Sequence, residues 1–205
     1  KMALSTTALL VSAGALIFLF AETWPKSMNL FDRITLSVFQ AVSASTTDGF
    51  NSIDIGAGSP AGLTLLMVLM FIGASPGSTG GGIKTTTLGT LFISIKSHLQ
   101  NKKAVNIFSR ELPQETAIKA FTVFGLFIGV ALFDILILAN TEKGSYLQVL
   151  FEIISALGNT GLSMGITSAL SPIGKLLLTF TMFIGRVGPL TLGAALVMKK
   201  SGDLP

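Results

Sequence analysis

The sequence predicts an all-α, polytopic membrane protein made of two tandem copies of one unit. Half of its 205 residues are hydrophobic and 12% are charged, whereas a soluble domain carries roughly 25% charged residues. The chain also repeats itself without a gap at an offset of 112 positions. The matches include Phe39 with Phe151, Gly49 with Gly161, Ser59-Pro60 with Ser171-Pro172, and Met70-Phe71-Ile72-Gly73 with Met182-Phe183-Ile184-Gly185. Each copy is predicted to hold a full span, a short re-entrant half-helix, a glycine turn and a long helix broken at glycines.

The composition excludes several classes of protein. The chain has no cysteine, so it has neither a disulfide framework nor a thiolate metal site. Its formal net charge is +4, but no basic run is interleaved with aromatic residues as in a nucleic-acid-binding surface. His98 is the only histidine, and no acidic cluster accompanies it in the sequence. We therefore expect His98 to be solvated, and we predict neither an enzyme active site nor a metal-binding cluster of side chains.

The first copy begins with a stretch long enough to cross a membrane. Its predicted segments are a span over residues 2–20, a half-helix over 34–45, a polar turn over 46–51, and a helix over 61–72 that breaks at 73–82 and resumes over 88–95. About 20 apolar residues cross a hydrocarbon core of roughly 30 Å, whereas the half-helix reaches only about 18 Å. Trp24 lies in the polar stretch after the span, where an aromatic ring suits the membrane interface.

The second copy repeats this order after a basic connector over residues 96–119. Its predicted segments are a span over residues 120–138, a half-helix over 146–157, a turn over 158–163 and a long helix over 173–198. Because basic residues favour the cytoplasmic side, the connector and Lys199-Lys200 predict a multi-pass plasma-membrane protein with both ends inside. Both glycine turns then open to the outside. Glu22 and Asp134 match at the same offset, and we predict both at the outer interface.

Each half-helix is followed by a polar glycine turn that is suited to binding a cation. The residues are Thr47, Asp48 and Gly49 in the first copy and Asn159, Thr160 and Gly161 in the second. A half-helix that ends inside the membrane places partial negative charge there, and the carbonyls after it can replace a cation's water shell. Glycine permits positive φ, so that successive carbonyls face one axis. The pattern predicts an ion-selectivity filter; re-entrant turns without an ion, or surface loops, are the alternatives.

Two motifs complete a resemblance to a known family. Residues 77–84 read Gly-Ser-Thr-Gly-Gly-Gly-Ile-Lys, and residues 162–165 read Leu-Ser-Met-Gly. Together with the half-helices and their glycines, they resemble the Trk/Ktr/HKT superfamily of potassium transporters, most closely the bacterial KtrB subunits, over nearly the whole chain. The resemblance implies four M1-P-M2 repeats around one pore, where M1 is the first span, P the re-entrant pore helix and M2 the broken helix. Residues 1–98 and 117–200 look like the third and fourth repeats, joined by a cytoplasmic connector over 99–116.

The resemblance also implies a function and partners. It implies translocation of K⁺ across the plasma membrane, with K⁺ held as substrate by the filter carbonyls and with no cofactor. It implies a homodimer in membrane lipid and a cytoplasmic nucleotide-binding regulatory subunit such as KtrA. Sodium dependence is a Ktr trait that these residues do not show. Asp48 departs from the family pattern, because that filter position is usually small or apolar, and we expect its side chain to point away.

The glycine-rich break resembles the intramembrane loop that gates these transporters beneath the filter. The gate residues implied are Gly73, Gly77, Ser78, Thr79, Gly80, Gly81, Gly82, Lys84 and Arg186. Each glycine inside a helix costs on the order of 1 kcal/mol against alanine, which is understandable if the segment is non-helical and mobile. Arg186 is predicted to face the pore and to donate to the loop's carbonyls, with snorkelling to the cytoplasmic face as the alternative. Lys84 fits a gate contact and an interfacial position equally well.

Other interpretations of the chain remain open. The glycine-rich break fits an ordinary helix kink, and it also mimics a phosphate loop. A Walker A loop, however, follows a β-strand directly, whereas an apolar stretch precedes this segment and Ile83 separates Gly82 from Lys84. A membrane-bound nucleotide enzyme using this loop would also lack an acidic Mg²⁺ partner. The main rival function is a secondary transporter with broken helices, although such folds usually carry inverted repeats and here both copies run in the same direction.

Overall fold

Seven α-helices make up the part of the chain that the computed structural model describes, which is residues 2–73, 75–100, 106–107 and 110–188. They are α1 (Met2–Ala21), α2 (Leu30–Thr46), α3 (Pro60–Phe71), α4 (Thr85–Leu99), α5 (Gln114–Thr141), α6 (Tyr146–Gly158) and α7 (Pro172–Val187). The predicted all-α class is confirmed. The connector adds one feature that was not predicted, an antiparallel pairing of Asn106–Ile107 with Arg110–Glu111.

Two of the described helices, α1 and α5, are long and apolar enough to cross a membrane by length and composition. α5 has 28 residues and extends past the predicted span of 120–138 at both ends, so it takes up part of the predicted connector. The first broken helix is split into α3 and α4 by residues 72–84, which we name the glycine-rich loop. The second ends at Val187, and the predicted residues 189–198 and Lys199-Lys200 lie outside the described range.

Side-chain caps mark the starts of four of the described helices, α2, α3, α6 and α7. α2 starts at Leu30, four residues earlier than predicted, because the Asn29 side chain accepts a hydrogen bond from the Asp32 N–H at 2.8 Å. α6 starts at Tyr146 behind a capping box, in which Ser145 and Gln148 each accept from the other's N–H. Such caps satisfy backbone donors that a helix leaves unpaired at its start.

The two copies fold alike from the half-helix onward. A proline opens both α3 and α7, and the preceding serines cap them: the Ser59 and Ser171 hydroxyls accept from the N–H groups of Gly62 and Gly174, each at 3.0 Å. One turn of 3₁₀-helix precedes each cap, at Ile55–Ala57 and at Thr167–Ala169. All of these pairs lie 112 positions apart, so the offset describes a structural repeat.

The first spans, however, follow a different offset. Glu22, just after α1, accepts the Ser59 N–H at 3.0 Å, and Glu142, just after α5, accepts the Ser171 N–H at 2.9 Å and its hydroxyl at 2.5 Å. Glu142 is therefore the structural counterpart of Glu22, 120 positions later. The Ser171 hydroxyl and N–H donate to Glu142 and lower the pKa of its carboxyl.

The predicted interfacial position of Asp134 is wrong. Asp134 lies inside α5, is 1% exposed, and accepts a hydrogen bond from the Thr181 hydroxyl at 2.6 Å. The ungapped offset fails here because α2 has 17 residues against 13 in α6, and residues 22–29 form a longer connection than residues 142–145. The two differences together move the span by eight positions.

The two copies are joined by packing of α3 against α6 and of α4 against α5. At this junction the Phe71 ring packs edge-to-face on Phe127, with centroids 6.3 Å apart and an interplanar angle of 89°. The packing buries a face of α6 that its counterpart exposes in α2. Phe151 is 0% exposed, whereas the matching Phe39 is 45% exposed.

Candidate ion filter and gate

Both half-helices end in a residue with left-handed backbone. Thr47 has φ 62° and Asn159 has φ 53°, and they are the only described non-glycine residues with positive φ. Gly49 and Gly161 follow with φ 78° and 93°, a conformation that glycine adopts without steric cost. We call residues 47–49 the first turn and residues 159–161 the second turn. The six residues predicted as a filter thus form two turns with matching backbone geometry.

A serine near the end of each half-helix fixes the turn that follows. The Asp48 N–H donates to the Ser43 carbonyl at 3.1 Å, and the Thr160 N–H donates to the Ser155 carbonyl at 3.0 Å. The Ser155 hydroxyl also accepts from the Gly161 N–H at 3.2 Å. Because these N–H groups donate to the half-helix, they do not pair with the carbonyls of the turns, which can then bind a different group.

The two turns meet backbone to backbone, although 112 residues separate them. A Cβ placed on Gly49 would overlap the carbonyl oxygen of Thr160, and one placed on Gly161 would lie 3.9 Å from the Gly49 Cα. The exposed Asp48 carboxylate accepts a hydrogen bond from the Thr46 hydroxyl at 2.8 Å, which ties it back to its own half-helix. The structure therefore brings the two predicted filter segments to one place.

Two buried side chains hold the segments that follow the turns, and sequence reasoning missed both of them. Gln40 in α2 accepts the Ser52 N–H at 3.4 Å, and Glu152 in α6 accepts the Met164 N–H at 2.9 Å. Gln40 and Glu152 lie at the 112-residue offset, and so do the groups that they hold. Two polar residues at matched positions of apolar half-helices were the signal that could have identified them.

The glycine-rich loop leaves the end of α3 and returns to it. The Ile83 N–H donates to the Phe71 carbonyl at 3.1 Å, so the loop closes on the point where it began. Gly77 and Gly82 have positive φ, at 81° and 71°. A Cβ on Gly73 would overlap the Gly81 carbonyl oxygen, so the close approach of the two ends of the loop requires glycine at this position.

The returning part of the loop packs against the start of the second turn. A Cβ on Gly81 would lie 2.7 Å from both the Gly158 carbonyl oxygen and the Asn159 side-chain nitrogen. The Asn159 side chain in turn donates to the Met182 carbonyl in α7 at 2.9 Å. Residues 81–83 are buried and residues 76–79 are exposed. The loop is thus seated beside the second turn while its tip remains open.

Two basic side chains bind carbonyls of the loop. Arg186 in α7 donates to the Thr79 carbonyl, and Lys84 donates to the Gly80 carbonyl at 2.5 Å. Ser78 stabilises the same stretch, since its hydroxyl accepts from the Gly80 N–H at 3.4 Å. The predicted contact of Arg186 with the loop is therefore present, and Lys84 makes a loop contact as well.

The surroundings of the loop differ from those of a phosphate-binding loop. Helix α3 precedes it, whereas a Walker A loop follows a strand and keeps its lysine for phosphate. Here the Lys84 ammonium is bound to a carbonyl of the loop itself. Backbone carbonyls line the two turns, and the carbonyls of the loop beside them are bound by the Lys84 and Arg186 side chains. This arrangement suits passage of a cation better than binding of an anion.

Comparison with known proteins identifies the family. Residues 3–203 match the TrkH family of cation transport proteins. The chain is similar to the potassium/sodium uptake protein NtpJ of Enterococcus hirae, with 39% identity over 97% of this chain and 46% of the relative. It is also similar to the Ktr system potassium uptake protein B of Bacillus subtilis, with 37% identity over 93% of this chain and 44% of the relative.

A solved structure gives the same result for the fold. The crystal structure of the potassium transporter TrkH from Vibrio parahaemolyticus superposes with a TM-score of 0.76 at 24% identity, over 94% of this chain and 42% of that one. The chain thus spans about half the length of the curated relatives that it matches. It is an α-helical membrane protein, and it belongs to the TrkH family of cation transport proteins.

Proposed function

We propose that this chain forms part of a pathway that carries K⁺ across the plasma membrane, and that its two turns line that pathway with backbone carbonyls. The observation that carries the proposal is the meeting of two matched left-handed turns at Gly49 and Thr160. Carbonyls replace the water shell of a cation, and the carboxyl ends of α2 and α6 add partial negative charge. K⁺ as the cargo is supported by the names of the relatives, which are potassium and potassium/sodium uptake proteins.

The glycine-rich loop is proposed to be the gate of this pathway. It packs beside the second turn at Gly81, and Arg186 holds it from a different repeat through the Thr79 carbonyl. Lys84 binds the next carbonyl. A cation that passes the filter would meet these two positive charges, and the glycines would let the loop move aside at little steric cost.

The sidedness and the partners are further parts of the proposal. The basic connector supports a multi-pass topology with the connector and the C-terminus in the cytoplasm. Relatives named as components of a Ktr system support a cytoplasmic regulatory subunit such as KtrA. A homodimer in the membrane and a dependence on Na⁺ rest on the family resemblance alone.

Transport by the full-length protein in proteoliposomes tests this function. Saturable K⁺ uptake is expected, and Gly161→Ser should change the KM for K⁺ or the preference for K⁺ over Na⁺. Gly129→Ser is the matched control, because Gly129 lies in α5 with no atom within 4 Å of an added Cβ. Absence of K⁺ uptake by folded wild-type protein, or equal behaviour of the two variants, would contradict the proposal.

A further inference from the structure

Glu152 is a buried acid whose hydrogen bonds, within the described part of the chain, are made to the segment that follows the second turn. It is 5% exposed. Its Oε1 accepts from the Ser163 hydroxyl at 2.6 Å and from the Met164 N–H at 2.9 Å, and its Oε2 accepts from the Thr167 hydroxyl at 2.7 Å. Both oxygens act as acceptors, which is the arrangement that suits an ionised carboxylate.

This carboxylate shares a cavity with the second turn. The cavity has a volume of about 230 Å³, and its walls include Glu152, Ser155, Gly161 and Thr167. The half-helix therefore does not separate the charge from the Gly161 backbone. Electrostatic interactions are screened weakly inside a protein, so the charge acts on whatever the turn binds.

Glu152 has no ion-pair partner among the described side chains, in which Lys119 pairs with Glu115. A buried charge without a counter-charge is unfavourable, because hydrogen bonds replace only part of its hydration. The same site in the first copy is occupied by the neutral Gln40, which is 0% exposed. A neutral side chain can therefore hold the equivalent segment, and bracing alone does not require the charge.

We propose that Glu152 is a positioning residue whose negative charge raises the affinity of the second turn for a cation. This proposal rests on the proposed function and extends it, because it makes the two turns unequal. The cation in the second turn supplies the counter-charge that Glu152 otherwise lacks. The first turn has the neutral Gln40 at the equivalent position and binds the cation less tightly.

Substitution of Glu152 by glutamine separates charge from bracing. Glu152→Gln keeps the shape and an acceptor for the Met164 N–H, and Thr167 can turn its hydroxyl to accept instead of donate. We expect loss of this charge to raise the KM for K⁺ roughly tenfold, which corresponds to about 1.4 kcal/mol of Coulomb attraction. Because glutamine removes a buried charge that has no counter-charge in the absence of K⁺, the melting temperature without K⁺ should not fall below that of wild type. Glu152→Asp should recover part of the affinity.

Gln40→Glu is the reciprocal variant. The Gln40 side-chain nitrogen has no hydrogen-bond partner in the described structure, so an oxygen in its place breaks no contact there. The added charge should lower the KM for K⁺. A second readout, the rise in melting temperature of purified protein as K⁺ is added, measures binding without transport; Glu152→Gln should need roughly tenfold more K⁺ for the same rise.

The outcomes distinguish this proposal from the one on which it rests. An unchanged KM and an unchanged K⁺ response in well-folded Glu152→Gln would overturn the role of the charge while leaving K⁺ transport in place. Equal loss of stability in Glu152→Gln and Glu152→Ala would make Glu152 a structural brace alone, and would also overturn it. Absence of K⁺ uptake by the wild type would instead remove the proposed function, and this inference with it.

Discussion

Alanine substitutions at Gly49 and Gly161, the glycines of the two turns, should have unequal effects. Gly49 and Gly161 both have positive φ, at 78° and 93°, so each alanine carries backbone strain of about 1–3 kcal/mol. Their surroundings differ. An added Cβ on Gly161 would meet the Gly49 Cα at an ordinary distance of 3.9 Å, whereas one on Gly49 would overlap the Thr160 carbonyl oxygen.

The overlap sets the size of the difference. The Thr160 carbonyl is part of the backbone and would have to move by about 1 Å, and such overpacking typically costs about 1–3 kcal/mol. Gly49→Ala therefore totals about 2–6 kcal/mol against about 1–3 kcal/mol for Gly161→Ala. A difference near 1.4 kcal/mol is tenfold in an equilibrium constant, so the KM for K⁺ should differ between the variants by about tenfold or more.

The measurement is K⁺ uptake by the full-length protein in proteoliposomes, with KM, maximal rate and competition by Na⁺ recorded for each variant. Gly129→Ala in α5 controls for glycine replacement as such, because an added Cβ there meets no atom within 4 Å and alanine favours the helix. The reasoning would be refuted by a Gly49→Ala protein that transports as well as Gly161→Ala at equal thermal stability. That result would mean that the two turns are not in contact.

Three further predictions concern the glycine-rich loop, the topology and the contact of Glu142 with Ser171. Deleting residues 77–81 should raise K⁺ flux and leave the preference for K⁺ over Na⁺ unchanged. Arg186→Ala should raise K⁺ flux more modestly, because Arg186 is one of two basic side chains that bind the loop. Cysteine at Glu115, whose side chain is 77% exposed, should be labelled only from the cytoplasmic side, and cysteine at the exposed Lys143 only from outside. Hydrogen bonds from Ser171 lower the pKa of Glu142, so its stabilisation is present above the unfolded pKa, near 4.3, and is lost as the pH falls through the folded value. The difference in melting temperature between wild type and Glu142→Gln should therefore shrink from pH 7 to pH 3.

Each of these has a contrary result. Loss of transport in a folded deletion protein would make the glycine-rich loop a structural or binding element instead of a gate. Labelling of the cysteine at Glu115 from outside intact cells would show that the topology is the reverse of the one proposed. A difference in melting temperature for Glu142→Gln that stays constant with pH would show that the carboxyl contributes through shape and not through charge.

Local structure was predictable wherever special residues mark it. Glycine, serine and proline at matched positions located the half-helix ends, the two turns and the starts of α3 and α7, because each of these residues has a specific backbone role. The break between α3 and α4 followed from its glycines in the same way. The contact of Arg186 with the loop was also predictable, since a charged residue in an otherwise apolar helix needs a polar partner.

What could not be predicted depends on packing between the copies. The approach of Gly49 to Thr160 accompanies the packing of α3 against α6, and no residue in either turn indicates this packing. In the sequence, Glu152 is a single acidic residue in an apolar half-helix. Its hydrogen bonds to Ser163 and Thr167 depend on the path of residues 163–167, which the sequence does not reveal. Asp134 was misplaced because an ungapped offset cannot reveal that α2 is longer than α6 and that the connection before α2 is longer than the one before α6.

That difference in length has a practical consequence. The connection after α1 is longer than the one after α5, yet Glu22 and Glu142 each reach the serine that caps the next long helix, and the two turns keep matching φ angles. The four extra residues of this connection and the four extra residues of α2 therefore leave the end of the half-helix and the turn after it unchanged. Residues 26–28, which are exposed or half-buried, are thus the place to insert an epitope or a fluorophore tag, whereas one residue added between Ser43 and Gly49 would break the register of the carbonyls.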